Sequence, residues 1–186
     1  MPPLQASNMT SAAWQLVILV ETIAAVYAVL LATYFTTCLG VARLNHRACK
    51  IQPSRQTPIA QIRRDRKQSI WSLAVIAAML GAGHWSYAEL GWGLRPLPGV
   101  GGMVLSVAVS LVLFDTWFYW LHRLIHSRFF FRRVHSWHHL SVTPVAWSNN
   151  SDRLVDNLFL QSYWLVAHFL VPAAPCHGAR PQPNSA

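Results

Sequence analysis

The sequence predicts an all-α protein, a multi-pass transmembrane helical bundle of about four spans with a cytoplasmic histidine-rich helical cap. Three observations carry this. Of 186 residues, 53% are hydrophobic and only 11% charged, with a mean hydropathy of +0.29, whereas a soluble domain carries about 25% charged residues. Four apolar runs, 14–39, 70–90, 103–120 and 154–171, have lengths near the roughly 20 residues that cross a hydrocarbon core. Five of the nine histidines fall between positions 122 and 139, directly after the third run. The chain divides into an extracytoplasmic segment 1–13, a membrane domain 14–171 and a Pro-rich polar tail 172–186 that reads as disordered.

The first run is a span rather than a cleavable signal, because its leader carries no Lys or Arg and its apolar stretch is too long. Its one acid, Glu21, reaches the interface or an interhelical partner and takes no catalytic role. The second run holds Gly81 and Gly83, small residues that let membrane helices approach closely, and His84, which reads as interfacial. The segment GWGLRPLPGVGG (91–102) is a turn. The third run leads without a break into HRLIH, and the fourth holds His168 and ends at Pro172.

Positive charge orients these spans. Arg43, Arg47, Lys50, Arg55, Arg63, Arg64, Arg66 and Lys67 lie between the first and second runs, and Arg95 alone between the second and third. The amino terminus is therefore outside and the first connection cytoplasmic, a solvated linker facing anionic lipid. The histidines then emerge on the same side with Arg123, Arg128, Arg132, Arg133 and Arg153. The net charge of +9 reflects this topology and not nucleic-acid binding, since the basic residues flank spans. Cys38, Cys49 and Cys176 show no CxxC spacing, so neither disulfides nor a thiolate site is implied, and Cys38 reads as packing.

The two histidine clusters are HRLIH (His122, His126) and HSWHH (His135, His138, His139). If both are helical, the first pair shares one face and the other three span an arc of roughly 80°. Imidazole suits iron, zinc, copper and nickel. A histidine-rich site beside a lipid bundle suits a redox metal that activates dioxygen near an acyl chain or sterol, since such an oxidant must be held dry and close to an apolar substrate.

The run DTWFYWLHRLIHSRFFFRRVHSWHH resembles the signature of the fatty acid hydroxylase/sterol desaturase superfamily of integral-membrane di-iron oxygenases. In that signature an Asp leads into an aromatic stretch, then HRxxH and HxxHH. The resemblance covers roughly 100–170 and implies that His122, His126, His135, His138 and His139 are metal ligands, with iron as cofactor, a di-iron site being the family's pattern. It further implies a lipid substrate, dioxygen and an external electron-transfer protein. The location implied is a bacterial inner membrane or the endoplasmic reticulum, with membrane lipids around the spans. Asp115, seven residues before His122, is placed to accept a hydrogen bond from a ligand histidine or from Arg123, or to make an interhelical polar contact. Arg123 pairs with a carboxylate or snorkels. Trp117, Phe118, Tyr119 and Trp120 form an aromatic belt and then a substrate wall. In WSNNSD (147–152), Asn149 is a candidate supporting contact for the ligands, although capping of the fourth helix explains the stretch more economically. The sequons at Asn8 and Asn149 carry little weight.

The family's third histidine cluster has no counterpart here, since His168 and His177 lack neighbours at ligand spacing. His168 reads as packed and hydrogen-bonded before it reads as a distal ligand. The chain thus reads as truncated, with weak or no hydroxylase activity as it stands; five histidines suit one metal better than two. The alternatives are a non-catalytic metal-binding or structural membrane protein holding zinc or nothing, and a haem protein, which would not require two compact clusters.

Overall fold

The computed structural model describes residues 4–45, 56–95 and 97–172. Among the described residues there is no strand. Three long helices, α1 (Leu4–Asn45), α2 (Ile59–Leu90) and α3 (Gly99–Ile125), precede shorter pieces: α4 (Arg128–Phe130), a π-helical turn (Phe131–His135), 3-10 turns at His138–Leu140 and Ala146–Ser148, α5 (Leu154–Leu160) and α6 (Tyr163–Leu170). The three long helices are apolar enough to cross a membrane. Arg47, Lys50, Arg55, Cys49, Cys176, His177 and the tail from 173 onward lie outside the described residues.

The least apolar of the three spans is the central one. Of the most apolar window of α2, 44% is buried inside the bundle, against 0% for α1 and 6% for α3. α1 runs antiparallel to α2, with Ile23 against Gly81 at one end and Tyr34 and Cys38 packed with Leu73 and Ile76 at the other. α5 and α6 fill the space between α2 and α3, where Leu160 joins Ile125 and Val134 in a second core.

The fourth expected span is not one helix. It breaks at Gln161 and Ser162 into pieces of 7 and 8 residues, neither long enough to cross a bilayer. Ser162 Oγ donates to the Phe159 carbonyl (2.7 Å) and accepts the indole N–H of Trp117 (3.1 Å). A hydroxyl that takes a helix carbonyl while anchored to a neighbouring helix favours such a break.

The basic linker also differs from expectation, because α2 begins at Ile59 rather than near 70 and makes Arg63, Arg64, Arg66 and Lys67 helical. One face of this extension is polar and inward. Asp65, 1% exposed, accepts from Ser148 Oγ (2.8 Å) and from Arg64 Nε and Nη2 (3.1 and 2.9 Å). Further along, Gln61 donates to Thr143 O (2.9 Å), Gln68 to Asp152 O (2.6 Å) and Ser69 to Trp147 O (3.1 Å), while Ser72 Oγ accepts from Asn157 Nδ2 (2.7 Å). From α1, Tyr34 donates to Trp147 O (2.8 Å) and Cys38 to Ala146 O (3.3 Å). Segment 141–157 has little regular structure of its own, so these bonds satisfy its backbone and hold it against the bundle.

α2 ends at Gly91 in the left-handed conformation (φ 69°), the usual helix stop, and leads into the expected turn. Gly83 has a separate reason to be glycine, since an added Cβ would collide with the Trp164 carbonyl on α6. Gly83→Ala is therefore expected to force α2 and α6 apart and to cost about 1–3 kcal/mol, the usual scale for overpacking. Gly81→Ala meets Ile23 Cγ1 at 2.7 Å and the Ile23 Cα at 3.2 Å, a less severe approach than the carbonyl at Gly83, and is expected to cost less. Thermal unfolding of the two variants in detergent checks the order.

Candidate metal centre

His122 lies in the last turn of α3 and His126 caps its C-terminus, with the His126 N–H bonded to His122 O (3.1 Å). The four-residue spacing stacks the rings, and their Nε2 atoms stand 3.1 Å apart. Two imidazole lone pairs at this distance repel unless a proton or cation lies between them. Two nitrogens bound tetrahedrally to one ion at about 2.0–2.1 Å stand about 3.3 Å apart.

After the break at Ser127, α4 passes into a π-helical turn ending at His135. The extra residue in a π turn rotates the chain beyond it, a device common at functional sites. Here it points His135 back at the first pair, with ring centroids 4.7 Å from His122 and 4.6 Å from His126. Ring nitrogens of His122, His126 and His135 all lie within 4.8 Å of one another.

His135 is fully buried, and its Nδ1 sits 2.9 and 3.1 Å from the two carboxylate oxygens of the equally buried Asp156. A carboxylate only accepts, so Nδ1 carries the proton and Nε2 keeps its lone pair. That Nε2 is buried with no hydrogen-bond partner, as is His122 Nδ1. A buried imidazole nitrogen without a partner, its ring oriented by a carboxylate and facing two further imidazoles, fits the donor set of a metal site. The residues therefore fit a bound metal ion.

His138 and His139 flank this triad, on a 3-10 turn rather than on one α-helix with His135 as the spacing suggested. They still converge, with centroids 5.2 and 4.8 Å from His135. His138 Nδ1 lies 2.8 Å from Asp152 Oδ1 but off the ring N–H axis, an ion-pair contact rather than an aligned hydrogen bond, and this carboxylate raises the His138 pKa. Partial desolvation, then the adjoining imidazoles, lowers His126 and His139, favouring the neutral donor form.

A family model described as fatty acid hydroxylase matches residues 107–179, a stretch that holds all five histidines. That stretch is similar to fatty acid hydroxylases, and the comparisons support a place in the fatty acid hydroxylase/sterol desaturase superfamily. The chain is similar to methylsterol monooxygenase 2-2 of Arabidopsis thaliana, 28% identical over 112 residues that make up 60% of this chain and 42% of the relative. It is similar to lathosterol oxidase of Homo sapiens, 29% identical over 107 residues, 55% of this chain and 36% of the relative. It is 31% identical over 114 residues to very-long-chain aldehyde decarbonylase GL1-11 of Oryza sativa subsp. japonica, covering 60% of this chain and 42% of the relative. The chain thus spans less than half the length of these relatives. No solved structure shows significant similarity to it. The three long apolar helices, with this similarity, support an integral membrane protein.

Asp115, Arg123 and Asn149 make no hydrogen bond to an imidazole among the described residues. Asp115 is exposed on α3 and makes no hydrogen bond to a histidine or to Arg123 among the described residues. Arg123 is exposed, donates to Tyr119 OH (3.0 Å) and lies over the Trp120 ring. Asn149 is exposed and lines the cavity beside the cluster without contacting an imidazole. WSNNSD does not cap α5, whose N-cap is Arg153 without a side-chain bond; Ser148 goes to Asp65 and Asp152 to His138. The aromatic stretch splits, with Phe118 stacked on His122 and Tyr119 and Trp120 facing outward. His168 is buried away from the cluster with Nε2 3.3 Å from Ser86 Oγ, while His84 and Glu21 are exposed. Asp152 lies within the WSNNSD stretch already singled out, and the residues missed are Asp156 and Asp65. Their signal was scarcity: the whole chain has six acids, and two stand four residues apart just after HSWHH.

Proposed function

We propose that the histidine cluster binds iron and that the chain serves in dioxygen-dependent oxidation of a membrane lipid, a sterol or fatty acyl compound, with electrons from an external electron-transfer protein. One observation carries the lipid part. A cavity of about 880 Å³ opens from His122, His135 and His138 and continues between apolar walls that include Leu30, Leu73, Ile76 and Phe118. Its size falls within the roughly 300–1,000 Å³ of small-molecule sites, and Thr33, Thr37 and Gln161 add polar groups along its walls. An apolar body can lie along α1 and α2 with one carbon presented to the cluster.

When bound, iron supplies the redox chemistry with dioxygen that attacks an unactivated C–H bond. The chain's own residues do the rest. Asp156 fixes the His135 ring so that Nε2 faces inward, and Phe118 packs against His122 beside the cavity. We place this end of the bundle on the cytoplasmic side, because the basic start of α2 and the basic segment after α3 meet there, as Arg64 Nη2 reaches Ser141 Oγ at 3.2 Å.

Metal analysis of the purified chain after anaerobic loading with Fe(II) tests the reading. About one iron per chain is expected, lost in the His122→Ala/His126→Ala double variant but not in Asp115→Asn. Retention of zinc alone, or of no metal, would instead favour the non-catalytic reading.

A further inference from the structure

We infer that a second lipid site lies at the opposite end of the bundle, between α2, α3 and α6, and that it holds an apolar molecule by a single hydroxyl group. A cavity of about 360 Å³ opens there between Leu80, Val107, Trp164 and Val171, with Ser106 and His168 among its lining residues. Sixteen helical residues separate Ser106 from His122, about 24 Å at 1.5 Å per residue, so this site is distinct from the histidine cluster and its cavity.

Ser106 is the unusual residue. Thr22, Thr33, Thr36 and Thr116 each return a hydroxyl to the carbonyl four residues back on their helices, at 2.7–2.9 Å. Ser106, 4% exposed in the middle of a helix, makes no such bond, and its Oγ is buried without a partner. A buried hydroxyl left unpaired is costly and calls for a ligand or an ordered water. His168 supplies the complement. With the Ser86 hydroxyl proton on Gly83 O (2.8 Å), Oγ accepts from His168 Nε2 at 3.3 Å, the tautomer proposed for this ring. The proton is then on Nε2, and Nδ1 of this buried ring is an acceptor.

A free O–H and a ring lone pair in one apolar pocket select a group that both accepts and donates. An alcohol does so. A carboxylate has no proton for Nδ1, and a protonated amine has no lone pair for the Ser106 O–H. Two kinds of molecule present an alcohol on an apolar body: a sterol with a ring hydroxyl and a straight-chain fatty alcohol.

The test uses the full chain in membranes and four photoreactive probes: a sterol alcohol, its methyl ether, a long-chain alcohol and its methyl ether, with crosslinks mapped by mass spectrometry. At least one alcohol is expected to label segments 103–110 and 163–172 saturably, with its ether labelling about 3- to 10-fold less, the worth of one hydrogen bond. Whichever alcohol labels identifies the ligand. Ser106→Ala is expected to reduce labelling by a similar factor while leaving the melting temperature unchanged or higher, because it deletes an orphaned hydroxyl. The His122→Ala/His126→Ala variant is expected to label normally, which separates this site from the metal reading. Equal labelling by alcohol and ether, unchanged labelling of Ser106→Ala, or no saturable labelling would each overturn the inference.

Discussion

Asp156→Ala is expected to weaken metal binding at the histidine cluster by about 10- to 100-fold, the usual consequence of removing the carboxylate that orients a ligand imidazole. In the native arrangement the His135 Nδ1 proton lies between two carboxylate oxygens, and Nε2 has no protein partner. Without Asp156 the ring is free to shift its proton to Nε2 or to rotate, and the inward lone pair is lost. Asp156→Asn keeps an oxygen that accepts from Nδ1–H and removes the charge, so it is expected to retain most of the affinity. Chelator competition measures the affinities, and melting of the metal-free variants supplies the control. A structural role alone would lower the metal-free melting temperature while leaving the affinity of the folded fraction unchanged.

The parts of the site legible in the sequence were those written in local spacing. HRLIH and HSWHH name their own ligand candidates because a helical turn brings positions 122 and 126 together whatever surrounds them. The aim of the second cluster was not legible. It depends on the π-helical turn at Phe131–His135, whose residues FRRVH carry no marker of an inserted residue. The division of the fourth apolar run was marked only by the polar pair Gln161 and Ser162, and the contact that anchors the break, from an indole on α3, is not written in local sequence. The helical extension of α2 was visible but outweighed. Gln61, Asp65, Ser69 and Ser72 recur at three- and four-residue intervals, a polar stripe at helical period, yet the surrounding arginines read more strongly as a solvated linker. Helical spacing aligns Asp115 with His122 along α3, but at its level Phe114 and Trp117 take the packed face and Asp115 is exposed.

Asp65→Ala carries the second large expected effect, and it acts on the site from a distance. Asp65 touches no histidine. It holds Ser148, and through the neighbouring bonds of Gln61, Gln68 and Ser69 the same helix face holds the backbone at Thr143, Trp147 and Asp152. Deleting the carboxylate leaves the buried Ser148 hydroxyl without its acceptor, while Arg64, about one-third exposed, turns to water. The expected destabilisation is about 2–3 kcal/mol, on the scale of a lost hydrogen bond to a charged group with a donor left unpaired. Asp65→Asn is expected to recover only part of it, because the amide offers one oxygen to Ser148 and turns its NH2 toward the Arg64 guanidinium. Hydrogen exchange should show the loss concentrated in 141–153, which carries Asp152 to His138, while the 122–126 end of α3 stays protected. Uniform loss of protection along α2 and α3 would instead mean that Asp65 supports the bundle as a whole and not the segment that braces the histidines.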